Sequence, residues 1–345
     1  MARRSRSQSG VTLADRAVEG DRRALTRLLS LVENGGPEGR AALARLFPLA
    51  GHAHVIGFTG STGAGKSTLV NRVAREVRRR GETLAVVAVD PSSPFSGGAL
   101  LGDRLRMRDL VEDSGVFIRS MASRGHPGGV AAATRDVVTI FDALGVPVVL
   151  VETVGAGQAQ VDVAQISHTT VLVEAPGMGD EIQVLKAGLM EVADIIVVNK
   201  ADRPEAQQTV HALLAAHGRG GRTTGHHRRV EQGDAHGEDH WPVPILQTSA
   251  LDGDGVTALV DAIQDHREYL RAGDGWQALR RRHAGAELES WLQRYLRGLM
   301  DDHVDPAALD DALGSVIRRE RDPASAAQEL VESLVVNLSS SKSTL

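Results

Sequence analysis

Between His54 and Ala250 the chain repeats one pattern seven times, a short apolar run and then a polar or amphipathic stretch. The runs are HVIGFTG, LAVVAVD, GVFIRSM, VPVVLVET, TTVLVEAP, DIIVVNK and PILQTSA, and the segments 67–80, 129–143, 180–192, 204–216 and 255–271 have helical periodicity. A strand that is apolar on both faces must be covered on both, which requires parallel strands joined through helices. The pattern predicts an α/β fold with a central, mostly parallel, doubly wound sheet, whose ligands bind outside the carboxyl ends of the strands.

Helical patterns flank this region. In 11–50, Leu25, Leu28, Leu29 and Val32 share one face and ENGGPEG separates two helices. Beyond Gly275, Leu288, Trp291, Leu292, Tyr295, Leu296 and Leu299 form an apolar stripe that reads as ordinary core, with packing against a second copy as the alternative. Asp305-Pro306 and Asp322-Pro323 each read as an N-cap with proline at the first helical position. The expected organisation is a helical extension (1–50), a nucleotide-binding domain (51–275) and a helical region (276–345). Residues 217–240 are polar and glycine-rich without periodicity and read as a flexible surface insertion.

The 39 basic and 44 acidic side chains give a net charge of −5, which does not suggest nucleic acid as a partner. The absence of cysteine rules out disulfides and thiolate metal sites and suits a cytoplasmic protein, and no run approaches a membrane span in length.

The first run leads into GSTGAGKST, residues 60–68, in which Gly60, Gly65, Lys66 and Ser67 satisfy G-x-x-x-x-G-K-[ST]. Such a loop, here with Ser61, Thr62, Gly63, Ala64 and Thr68, curls its backbone N–H groups around phosphates. Lys66 supplies a point charge, the Ser67 hydroxyl a magnesium ligand, and the following helix its positive end. Asn199-Lys200-Ala201-Asp202, at the end of the sixth run, identifies the base. The Asp202 carboxylate can accept from both guanine N1–H and the exocyclic amine, a donor pair that adenine lacks. Asn199 can tie the base edge to the loop, the Lys200 stem can lie along the ring, and a backbone N–H at Ser249-Ala250 can reach the guanine oxygen. Asp90, Asp103 and Glu152 are carboxylates suited to holding magnesium and its waters, although Asp90 and Asp103 also fit turn or helix caps.

These segments, with AVDPSS, GDRLRM, VETVGAGQ, PGMGDEIQ and VVNKADR in this order, resemble the MeaB/ArgK family of GTPase chaperones of adenosylcobalamin-dependent acyl-CoA mutases. The resemblance covers about residues 50–275. It implies a P-loop GTPase that hydrolyses GTP to GDP with magnesium, forms a homodimer, and gates cofactor delivery to a mutase of the methylmalonyl-, isobutyryl- or hydroxyisobutyryl-CoA type. EAPGMGDEIQ resembles the versions associated with, or fused to, isobutyryl-CoA-type mutases more than those of the methylmalonyl-CoA type. The resemblance also makes 177–188 a loop coupling nucleotide state to the mutase, with Asp180, Glu181 and Lys186 its residues of interest; Asp180-Glu181 equally suits a helix start. Gly155 belongs to a nucleotide-sensing switch. Gln158 either orients the attacking water or bonds a neighbouring loop, and Arg106 or the 177–188 loop completes the site when the mutase docks.

Two other readings are a P-loop kinase and a metal-delivery GTPase of the hydrogenase or urease type. The second draws on His217, His226, His227, His236 and His240, whose spacing matches no fixed coordination geometry.

Overall fold

Apolar side chains on both faces make each run a buried strand, and the strands assemble by parallel pairing alone. In the computed structural model, which describes residues 9–90, 110, 112–122, 129–153, 159–177, 189–219 and 241–342, seven strands form one sheet. They are β1 (His54–Gly60), β2 (Leu84–Asp90), β3 (Val116–Ala122), β4 (Val148–Thr153), β5 (Thr169–Glu174), β6 (Ile195–Asn199) and β7 (Ile245–Thr248). The order is β3-β2-β4-β1-β5-β6-β7, with every pair parallel. Strands β2 to β4 lie on one side of β1 and β5 to β7 on the other, so the winding reverses at β1, where an open sheet of this kind leaves a ligand crevice.

The helices are α1 (Gly10–Val18), α2 (Arg22–Glu33), α3 (Pro37–Leu46), α4 (Lys66–Arg79), α5 (Gly129–Ala143), α6 (Ala159–Ala164), α7 (Leu189–Val192), α8 (Ala206–Arg219), α9 (Val256–Ala272), α10 (Gly275–His303), α11 (Pro306–Ile317) and α12 (Pro323–Lys342). Three differences from the sequence expectation stand out. The N-terminal segment holds a third helix, α1, capped by Ser9. A short helix, α6, follows the fourth strand where no helix was expected. Finally, α8 runs to Arg219, three residues into the stretch read as an aperiodic insertion.

Alternation along β2 divides the core. Ala85, Val87 and Val89 face a cluster containing Leu25, Leu28, Leu29 and Val32 of α2 and Ile140 and Phe141 of α5. Leu84 and Val86 face the opposite cluster, with Leu69, Val70 and Val73 of α4 and Leu259 and Ile263 of α9. The expected α2 face is therefore buried in the cluster that covers this side of the sheet. Its fully buried Leu28 has the burial of a side chain whose truncation to alanine costs about 2–5 kcal/mol.

The chain divides into two units, Met1–His283 and Ala284–Leu345. In the second, Asp305 and Asp322 cap α11 and α12 as the sequence indicated, accepting from the N–H groups of Ala307 and of Ala324 and Ser325. The α10 stripe is corrected: Leu288, Leu292, Tyr295 and Leu296 are 53–68% exposed, so within one chain this face is not core. Among the described residues, no helix is long and apolar enough to cross a membrane.

At the amino ends of the strands lies a largely buried polar network. His54 Nε2 meets Thr169 Oγ1 at 2.7 Å, and Thr169 Oγ1 meets His266 Nδ1 at 2.9 Å. His168 Nδ1 accepts from the Val55 N–H, and the His168 ring stacks on Trp276. Asp194 accepts from the Thr170 N–H and lies 3.6 Å from His266 Nε2.

Burial holds His54 well below the usual histidine range and His168 at about 3, and nearby His and Arg side chains push the same way. Burial raises Asp194 to about 7, against the Thr170 bond and Arg282. Between about pH 6 and 4 the unfolded chain thus carries protons on His54 and His168 that the folded chain lacks, while the folded chain carries one on Asp194 that the unfolded chain lacks. The difference, 2 − 1 = 1, means that acidification costs about 1.4 kcal/mol per pH unit from these three groups. Asp194→Asn removes the opposing proton, so denaturant titrations across that window should show about twice this acid slope; an unchanged slope would mean that Asp194 ionises normally.

Candidate functional site

The phosphate loop forms because β1 ends in a residue without a side chain. Gly60 has φ +133°, and a Cβ there would sit 2.0 Å from the Val173 carbonyl oxygen of β5. Gly65, at φ +89°, is the N-cap of α4, and a Cβ there would meet Asn199 Nδ2 at 2.5 Å. Two glycines thus let the loop lie against β5 and β6 while the N-terminus of α4 opens toward the same space.

Within the loop, the buried Lys66 ammonium donates to the carbonyls of Gly60 at 2.8 Å and Ser61 at 2.9 Å. Burial lowers it from the ordinary lysine range, opposed by the negative charges of Glu152 and Glu174. Ser67 donates to Glu152 Oε1 at 2.5 Å. Glu152 pairs in register with Phe58 of β1 and Ala88 of β2 and is 2% exposed, so its carboxylate enters the loop from below. Asp90 ends β2, opposite Ala122 of β3; its side chain lies outside the described residues.

Asn199 joins three segments. Its Nδ2 donates to the Ala64 carbonyl at 2.8 Å, and its Oδ1 accepts from Thr248 Oγ1 and the Ala250 N–H, each at 3.1 Å. Lys200 has φ +60°, a conformation uncommon for a residue with a side chain, and donates to the Gly63 carbonyl. Asp202 is exposed and lies 3.3 Å from Ser249 Oγ, which also bonds Asp252. The Ser249 N–H bonds the Asp254 carbonyl, so the N–H groups of both Ser249 and Ala250 are engaged within the protein. Arg72 of α4 donates to the Ala250 carbonyl and ties the loop helix to the same turn.

The structure thus brings together residues 60–68, Glu152, Asn199, Lys200, Asp202, Ser249 and Ala250. Asp103, Arg106, Gly155, Gln158, Asp180, Glu181 and Lys186 lie outside the described residues, as do His226, His227, His236, His240 and the His217 side chain. Sequence reading missed Glu174. This carboxylate is 2% exposed at the end of β5, and its Oε2 accepts from Ser61 Oγ at 3.0 Å. The available signal was the one that pointed to Glu152, an acid closing an apolar run.

A phosphate loop at the winding reversal of an all-parallel sheet, with an Asn-Lys-x-Asp turn bonded to it, defines a P-loop GTPase. The chain belongs to the family described as methylmalonyl Co-A mutase-associated GTPase MeaB, whose model matches residues 25–304. A Pyrococcus horikoshii protein named as a GTPase is 42% identical over 325 residues, covering 94% of this chain and 98% of the relative. GTPase ArgK of Escherichia coli is 35% identical over 300 residues, 85% and 86% of the two chains. A crystal structure described as a LAO/AO transport system kinase superposes with a TM-score of 0.68 at 27% identity, covering 94% of this chain and 97% of that one.

The Asn199 junction is the site's test of stability. Asn199→Ala leaves the buried Ala64 carbonyl and Ala250 N–H without these partners, at about 1–3 kcal/mol each. Urea denaturation should show a loss of roughly 2–6 kcal/mol; a change below about 0.5 kcal/mol, the range of an ordinary surface substitution, would contradict the junction's role.

Proposed function

We propose that the chain is a magnesium-dependent GTPase that gates delivery of adenosylcobalamin to a B12-dependent acyl-CoA mutase and protects or reactivates that enzyme. The observation that carries this reading is the coincidence of a mutase-associated GTPase family match over 25–304 with a phosphate loop bonded to a guanine-type turn. Whether the partner is of the methylmalonyl-, isobutyryl- or hydroxyisobutyryl-CoA type is a property of the docking surface and not of this site.

Residues 60–68 bind the phosphates, with Lys66 leaving the Gly60 and Ser61 carbonyls for the terminal phosphates. Asp202 reads guanine, while Asn199 and Lys200 hold the turn against the loop, and Ser249 and Ala250 border the base. The contact of Ser67 with Glu152 fits magnesium: a hydroxyl and a carboxylate are hard oxygen donors, and they meet where α4 leaves the loop. Ser67 and Glu152, with Asp90 and Asp103 toward its waters, would hold the ion, which would supply neutralisation of the charge developing on the phosphate oxygens. Glu152 takes up the Ser67 hydroxyl before the nucleotide arrives. Asp180, Glu181, Lys186, Arg106, Gly155 and Gln158 form the coupling elements whose arrangement changes with nucleotide and mutase.

In this reading residues 51–275 are the GTPase domain, 1–50 its helical extension and 276–345 a dimerisation region. The exposed stripe of α10, with Leu309, Leu313 and Ile317 of α11 also exposed, supports a homodimer. A cytoplasmic location fits the cysteine-free composition.

Steady-state phosphate release tests the chemistry. Glu152→Ala should lower magnesium-dependent GTP turnover by about two orders of magnitude while changing GDP affinity less than threefold, since one lost electrostatic contact in a transition state costs about that much. Equal losses in both would remove Glu152 from the metal site. Coupling is tested by adding the B12-dependent acyl-CoA mutase of the same cell. The mutase should raise GTP turnover of the wild type, and Lys186→Ala should blunt that rise without altering basal turnover. A flat response of the wild type would refute the partner.

A further inference from the structure

Ser61 is held from two directions. Its hydroxyl donates to Glu174 Oε2 at 3.0 Å, and its carbonyl accepts from the Lys66 ammonium at 2.9 Å. Neither side can withdraw easily, because Gly60 packs so tightly on β5 that even a Cβ would sit 2.0 Å from the Val173 carbonyl oxygen. Glu174 is the next residue on that strand, so its carboxylate is pinned beneath the first turn of the phosphate loop. Its charge acts on Lys66, as does that of Glu152.

The two acids differ in what can offset them. Glu152 contacts Ser67, the hydroxyl that stands where magnesium is proposed to bind. Glu174 contacts Ser61, at the opposite end of the loop, where the ligand brings phosphate and therefore more negative charge. In a site shielded from water, like charges repel far more strongly than at the surface. A phosphate chain entering the loop draws Lys66 toward itself and away from the Ser61 carbonyl, and so away from Glu174.

We propose that Glu174 is a positioning residue that sets nucleotide affinity: it holds the loop's first turn through Ser61 and, as a fixed buried anion, competes with the nucleotide's phosphates for Lys66. The loop is thereby shaped in advance for phosphate, while the bound nucleotide is held less tightly and leaves faster than the loop and lysine alone would allow. This inference rests on residues 60–68 being a guanine nucleotide site.

The test uses the full chain with magnesium, a fluorescent GDP and a fluorescent non-hydrolysable GTP analogue, reading affinity and dissociation rate. Glu174→Gln keeps an acceptor for Ser61 and removes the charge, so both nucleotides should bind about tenfold tighter through slower release, equivalent to about 1.4 kcal/mol. Ser61→Ala removes the bond and keeps the charge, and should give no tightening. The gain from Glu174→Gln should vanish in a Lys66→Ala background, a coupling that a merely structural role would not produce. Glu174→Met, uncharged and of similar length, should tighten binding in the same direction and serves if the glutamine variant does not fold. Unchanged or weaker binding in the folded, uncharged variants overturns the proposal while leaving the nucleotide site intact. If Lys66→Ala binds as tightly as the wild type, or the wild type binds neither nucleotide, the nucleotide site itself fails and this inference with it.

Discussion

One amide side chain holds the nucleotide site in register. Asn199 stands at the end of β6, yet its bonds go to the phosphate loop after β1 and to the turn after β7. Strand β5 separates β6 from β1, so no backbone ladder links the phosphate loop to the base-reading turn. The Asn199 bond to the Ala64 carbonyl bridges that gap directly, and Lys200 adds a second bridge to Gly63. An amide suits the junction because it donates to a carbonyl with one end and accepts from an N–H with the other. Aspartate at this position would lack the donor, and leucine would lack both.

Elements set by local patterning were readable from the sequence. All seven apolar runs became strands, because an uninterrupted apolar run has no stable exposed face, and strands that need cover on both faces assemble in parallel. The caps at Asp305 and Asp322 were readable for a similar reason, since an acid followed by proline suits the first turn of a helix and little else. The α10 stripe was misread because periodicity shows that a face is apolar without showing what covers it. Helix α6 was too short to carry a periodic signal.

The polar network at the amino ends of the strands escaped notice for another reason. His54, His168, Asp194 and His266 are far apart in sequence, and each alone reads as an ordinary strand boundary or helix residue. Only the strand order brings them together, because β1 and β5 are neighbours and place Thr169 between His54 and His266. The network also reaches the root of α10: His168 stacks on Trp276, over whose ring Arg271 lies, and the His283 ring is 5.7 Å from that of His168. The first turns of this helix are thereby tied to the sheet by aromatic and cationic contacts, beside the buried Leu279.

Glu152 and Glu174 show where sequence reasoning stops. Both are acids at the carboxyl end of a wholly buried six-residue strand, Glu152 next to last in β4 and Glu174 last in β5, and both enter the surroundings of Lys66. Only Glu152 was singled out, because the glycines after it completed a familiar segment. In a half-exposed strand, alternation would show which way a terminal side chain points. In a sheet covered on both faces every position is apolar, and that directional signal is erased. The direction comes instead from the register: Gly60 pairs with Val173, which sets Glu174 one residue beyond, level with Ser61, while Glu152 pairs with Phe58 and reaches Ser67 on the incoming helix. The two carboxylates therefore approach opposite ends of one loop from the strands on either side of β1, and the loop's lysine lies within the field of both.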